Sequence, residues 1–203
     1  MKVLQSQQRE PFDALLAALA DAFDKEGRPG GDAAAAALRT AKSHAFRDMP
    51  STVEPGPLLE AVCKQPEALP IAALIDASRD LLSWWIWTGE GLAANVSSRL
   101  YTAELVGPDG HIDDDHVRVG LLISDAWTDY PLSSHSGEET YLVILGTAAW
   151  SIEGGPHKKH PPGTLIHDPA WTPHARRTLQ EPFIGAWRWS GDLDFSSFKV
   201  DAI

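Results

Sequence analysis

The sequence predicts a mainly β protein with helices at its N-terminal end, and three observations lead there. Up to residue 92, apolar side chains recur at helical spacing. From residue 93 they fall in short runs cut by Gly, Pro and Asp, as in an antiparallel sandwich or barrel. Two stretches of that second part carry His and Glu at spacings suited to a metal site.

Phe12, Leu15, Leu16, Leu19 and Phe23 form one apolar stripe of a first helix. Gly27-Arg28-Pro29-Gly30-Gly31 stops it, and Asp32 is placed to cap an Ala-rich second helix reaching about Phe46. Pro50, Pro55 and Pro57 mark a loop before a short helix over Leu58 to Lys64. A last helix begins near Pro70, with Leu74, Ile75, Ser78, Leu81, Leu82 and Trp85 on one face. Trp84, Trp85 and Trp87 are expected to dock it on the β part, and Thr88-Gly89-Glu90-Gly91 to end it. Strands are expected over Tyr101 to Val106, Val117 to Ile123, Thr140 to Leu145, Ala148 to Ile152 and Phe183 to Trp189. The division is therefore 1–92 helical and 93–203 β-barrel with the metal site.

With 203 residues the chain can bury a sizeable core. Its 17 Lys and Arg stand against 28 Asp and Glu, a net charge of −11. That balance argues against nucleic acid or an anionic membrane as partner, because both require a basic footprint. The single cysteine, Cys63, excludes an internal disulfide and fits a reducing compartment. Met1 to Ser6 form no apolar signal core, and no run approaches a membrane span, so a cytoplasmic protein is expected. No nucleotide or phosphate cradle is visible, and no cofactor beyond a metal is expected.

The chemistry concentrates in Ser133-Ser134-His135-Ser136-Gly137-Glu138-Glu139-Thr140-Tyr141 and in Pro173-His174. If Ser136-Gly137 is a hairpin turn, Ser133 and His135 share one face of the entering strand, and Glu139 and Tyr141 one face of the leaving strand. His174, from a later hairpin, completes two imidazoles, one carboxylate and a nearby phenol. Such a donor set suits one divalent ion: Zn, Fe(II), Mn, Ni or Co. Trp187 and Trp189 share a strand face and can contribute an aromatic wall to a cation.

Gly146 follows Glu139 after six residues, and Gly163, Pro169 and His174 repeat the spacing of a second motif. Together the two stretches resemble the paired motifs of the cupin superfamily, which implies a double-stranded β-helix, or jelly-roll barrel. Ser133 replaces the first His of that pattern, Trp127 and Trp171 stand where it has Gly, and Thr178 where it has Asn. The helical N-terminal part, Tyr130-Pro131-Leu132, Glu139-x-Tyr141 and Pro173-His174-Ala175 are similar to the cupin-type dimethylsulfoniopropionate lyases of the DddQ and DddL groups. The resemblance implies a lyase that makes dimethyl sulfide and acrylate from a small zwitterionic substrate. It implies His135, Glu139, His174 and Tyr141 as metal ligands, Tyr141 or Tyr130 as the catalytic base, and a homodimer as candidate assembly. Other readings of the same site are a metal-dependent dioxygenase or isomerase acting on a small carboxylate, and a non-catalytic small-molecule-binding cupin.

Overall fold

The structure is a computed structural model, which describes residues 6–201; the reading of Met1 to Gln5 lies outside them. Four helices come first: α1 (Ser6–Phe23), α2 (Pro29–Thr40), α3 (Gly56–Cys63) and α4 (Ile71–Ala77). The stripe on α1 is buried throughout, at 0 to 1% exposure. α2 begins four residues earlier than expected. Pro29 takes the first helical position, where its missing N–H costs nothing, so Asp32 lies inside the first turn and does not cap.

The last helix also differs. It stops at Ala77, and a 3-10 turn over Arg79–Leu81 leads into strand β1 (Trp85–Ile86). Ser78 ends α4 by donating its hydroxyl back to Leu74 O. The three tryptophans therefore leave the helix: Trp84 is buried in the helical core, Trp85 starts β1, and Trp87 follows it. The change from helix to strand comes near Trp85, ahead of Gly91.

A short α5 (Ala94–Ser97) precedes ten further strands. They are β2 (Leu100–Val106), β3 (Val117–Ser124), β4 (Asp129–Ser134), β5 (Glu138–Leu145), β6 (Ala148–Ile152) and β7 (Lys158–His160). β8 (Leu165–Asp168), β9 (His174–Thr178), β10 (Phe183–Ser190) and β11 (Lys199–Val200) follow. They form a six-stranded sheet, β1-β2-β3-β10-β5-β8, and a five-stranded sheet, β11-β4-β9-β6-β7. This is the jelly-roll arrangement expected, but as two open sheets and not a closed barrel.

Three layers result. The helices cover the outer face of the six-stranded sheet, burying Ala103, Leu105, Val119, Leu121, Leu142 and Ile144 against α1 and α2. The inner face packs Tyr141, Val143, Phe183, Trp187 and Trp189 toward Tyr130, Ala148 and Trp150 of the other sheet. Burial on both faces explains why β3 is buried at every position. Alternation along β5 and β10 divides the polar residues accordingly. Glu139 and Trp189 face inward, while Glu138, Thr140 and Arg188 face the helices.

On that outer side Arg188, fully buried, forms ion pairs with Glu26 beyond α1 and with Glu138. Thr140 donates to Glu26 at 2.8 Å. Gly30 on α2 has no side chain to obstruct this pair, and a Cβ there would overlap the guanidinium. His167 joins this outer group, with Nδ1 3.1 Å from Thr140 Oγ1, and so points away from the metal motifs.

Candidate metal site and cavity

The turn Ser136-Gly137 is not a hairpin. β4 is already paired with β11 and β9, and β5 with β10 and β8, so neither has a free edge for the other. The link between them crosses from one sheet to the other, and the inner faces meet across the sandwich. The second motif does the same in reverse, from β8 to β9. His135 stands just after β4, Glu139 is on β5 between Asp168 and Trp189, and His174 opens β9 opposite Ser133. Both sheets thus bring ligands to one point.

There, Glu139 Oε2 lies 3.1 Å from His135 Nε2 and 3.8 Å from His174 Nε2, and all three residues are buried. The other ring nitrogens are committed. His135 Nδ1 donates to Gly137 O at 2.9 Å and His174 Nδ1 to Thr172 O at 3.0 Å. Since a carbonyl only accepts, both imidazoles carry their proton on Nδ1 and present the Nε2 lone pair to the carboxylate. Three acceptors converge with no donor among them. Such a cluster could hold a divalent cation, since the separations are compatible with ligands each about 2.1 Å from one ion. The His-carbonyl bonds are the usual second contacts that orient metal-binding imidazoles.

The electrostatics agree. Burial pulls His174 down to about 4, so it is neutral at pH 7 and ready to ligate. Asp168, fully buried, is pushed up to about 8 by burial and then by the charge of Glu139. It is therefore protonated at pH 7, and it accepts from Trp150 Nε1 at 3.2 Å.

The candidate ligands open onto a cavity lined by Tyr130, Tyr141 and Arg176 and by the aromatic side chains of Trp87, Trp187, Trp189, Phe195 and Phe198. Trp189 stacks on His135, and Trp187 has its room because Gly120 on β3 leaves the space a Cβ would fill. Both phenols are buried, which raises them, Tyr141 well above the ordinary value; the Arg176 charge opposes this at each.

Of the residues singled out in the sequence, His135, Glu139, His174, Tyr141 and Tyr130 are all brought to this cavity. Three contributors escaped the sequence reading. Arg176 was not singled out, although its two-residue offset from His174 puts it on the same inward face. Phe195 and Phe198 belong to a terminal strap that carries no strand pattern. Ser197 of that strap donates from Oγ to Asp194 O at 2.7 Å and accepts from Ser136 N at 3.1 Å, beside the ligand His135.

The departures from the cupin pattern also take shape. Ser133 is fully buried with its hydroxyl unpartnered. Thr178 accepts from Thr128 N at 2.9 Å and donates to Asp125 O, securing the link before β4. Trp127 and Trp171 adopt φ of 58° and 60°, so the backbone keeps the left-handed form of the glycines they replace.

Comparison with known proteins agrees with this geometry. The curated lyase DddQ of Ruegeria pomeroyi is 28% identical over 168 residues, covering 73% of this chain and 81% of the relative. The crystal structure of the dimethylsulfoniopropionate lyase DddQ from Ruegeria pomeroyi superposes with a TM-score of 0.70 at 26% identity, covering 94% of this chain and 96% of that one. A chain from the crystal structures of the lyases RdDddP and RnDddQII shares the fold, with a TM-score of 0.71 at 24% identity, covering 93% of this chain and 98% of its own. The family model described as dimethylsulfoniopropionate lyase matches residues 57–185, more than half of the sequence, and the chain belongs to that family.

Proposed function

We propose that this protein is a carbon-sulfur lyase that cleaves dimethylsulfoniopropionate by β-elimination to dimethyl sulfide and acrylate, with His135, Glu139 and His174 holding one divalent metal. The observation that carries the reading is the convergence of three acceptor atoms, two phenols and a guanidinium on one aromatic-walled cavity, in a chain of this family. The nitrogen and carboxylate donors are of the kind taken by Zn, Fe(II), Mn, Ni and Co.

The reaction removes the proton next to the substrate carboxylate, forms the C=C bond and breaks the C–S bond, so that the sulfide leaves neutral. A bound divalent ion supplies Lewis acidity, which stabilises enolate-like charge and a phenolate beside it. Tyr141 is the assigned base and a candidate fourth ligand. It shares the inward face of β5 with Glu139, and its hydroxyl accepts from Arg176 Nη1 at 3.3 Å, a contact that favours the phenolate. Tyr130 is the competing base. Trp87, Trp187, Trp189 and Phe195 surround the place for a sulfonium, where a cation over an aromatic face gains ~0.5–2 kcal/mol. The lone Cys63 leaves no internal disulfide to form, which fits a reducing compartment such as the cytoplasm.

The test is headspace dimethyl sulfide and dissolved acrylate from the purified holoenzyme, with metal analysis of the same sample. Wild type that forms neither product overturns the lyase reading. Alanine at His135, Glu139 or His174 should lower metal content and turnover together, and a His174→Ala protein with full metal and full turnover overturns the ligand assignment.

A further inference from the structure

Arg176 is the one buried arginine among the described residues whose charge is not met by a carboxylate. Arg9 pairs with Asp13, Arg118 with Glu104 and Asp109, and Arg188 with Glu26 and Glu138. Arg176 is only 3% exposed, yet its polar contact is a single hydrogen bond to the Tyr141 hydroxyl, and its Nε has no partner. Its remaining neighbours are ring faces: the guanidinium carbon is 4.0 Å from the centroid of Tyr130 and 5.6 Å from that of Trp150. Aromatic faces hold a guanidinium in place but do not neutralise it. The nearby acids are spoken for. Glu139 belongs to the candidate metal site with His135 and His174, and Asp168 accepts from Trp150 Nε1.

A buried cation left short of an anion is expensive in a folded protein and is kept where a ligand completes it. The guanidinium lines the cavity, and its planar fork matches a carboxylate. The rest of the lining is largely aromatic, and Glu139 is its one acid. The cavity thus offers one carboxylate-free guanidinium together with several ring faces, groups that suit a molecule carrying both an anionic and a cationic end.

We propose that Arg176 recognises the substrate carboxylate and thereby makes the site select sulfonium acids over sulfonium cations that lack an acid group. This rests on the lyase reading for the identity of the substrate, but not for the anion site itself. Arg176 acts by direct contact, and it fixes which end of the zwitterion faces the metal ligands and the phenols.

Binding to holoenzyme separates the two ends. Acrylate and propionate probe the acid end and trimethylsulfonium the cationic end, each followed by calorimetry and by quenching of the cavity tryptophans. In Arg176→Met, acrylate and propionate should bind roughly 30-fold or more weakly, the usual loss when one partner of a buried charge pair is removed. Trimethylsulfonium should bind as in wild type, and metal content should be unchanged. Arg176→Lys, which keeps the charge and loses the fork, should fall between, and it serves as the decisive variant if Arg176→Met does not fold. On dimethylsulfoniopropionate the loss should appear mainly in KM. Unchanged acrylate affinity in Arg176→Met, or for the lysine variant if that one is used, overturns the proposal. Equal loss for acrylate and trimethylsulfonium also overturns it, because that pattern belongs to a residue that only packs the cavity. A wild type that binds acrylate but releases no dimethyl sulfide would sink the lyase reading and leave the anion site standing.

Discussion

The indole of Trp189 lies flat against the imidazole of His135, ring centroids 4.1 Å apart and planes 21° from parallel. Trp189 is on β10, paired in register with Glu139 on β5, so one strand position braces the ring of one proposed ligand and the backbone of another. With Nδ1 tied to Gly137 O, the stacked face leaves His135 a single orientation.

Trp189→Leu should therefore lower metal affinity by about 10–100-fold, the range found when groups that orient a ligand are removed. Competition with a graded series of chelators measures it. Affinity equal to wild type would show that the stacking does no orienting.

Tyr141→Phe keeps the ring and its packing while removing the hydroxyl. Turnover should fall by about 10²–10⁴-fold, as for loss of a general base. If Tyr130→Phe abolishes turnover and Tyr141→Phe barely changes it, the roles of the two phenols are reversed.

Much of this arrangement was legible in the sequence, for identifiable reasons. The stripe on α1 and the apolar runs of β2, β3, β5, β6 and β10 declare themselves because each buries a continuous face. His135, Glu139 and His174 were found because their residue types are rarely placed together for packing alone. The connection between β4 and β5 was not legible. A Ser-Gly pair reads as a hairpin turn, and only the occupied edges of both strands, a property of the whole sheet order, make it a crossing link. Arg176 was hidden for a related reason, since an Arg-Arg pair carries no sign of which member faces inward.

In chelator-treated protein His174 makes stability depend on pH. Its imidazole is held down to about 4 from 6.5, so between those values the unfolded chain takes up a proton that the folded chain refuses. Stability is full above the upper value and is lost as pH falls toward the lower one, by about 3 kcal/mol in all. Denaturant titrations at both ends of that window should show this loss as the difference between wild type and His174→Gln. Identical slopes for the two proteins would exclude His174 as the source.

Trp171 stands at φ 60° and is 55% exposed, so it has the strain of a left-handed side-chain residue with little packing in return. Trp171→Gly should raise stability by about 1 kcal/mol, a melting shift of about 2–4 °C for a chain of this size. A lower melting temperature would mean that the indole's contact with Lys199, 5.8 Å from the ring centroid, outweighs the backbone.

The crossing links have a consequence for the lifetime of the protein. Glu139 belongs to the six-stranded sheet and His174 to the five-stranded one, and no ladder of backbone hydrogen bonds joins these layers. An ion held by both is a rivet between them. Saturation a hundredfold above Kd adds about 2.7 kcal/mol against unfolding by mass action alone. If these residues hold the ion as proposed, a cell short of the metal would lose the enzyme twice, first as activity and then as substrate for its proteases.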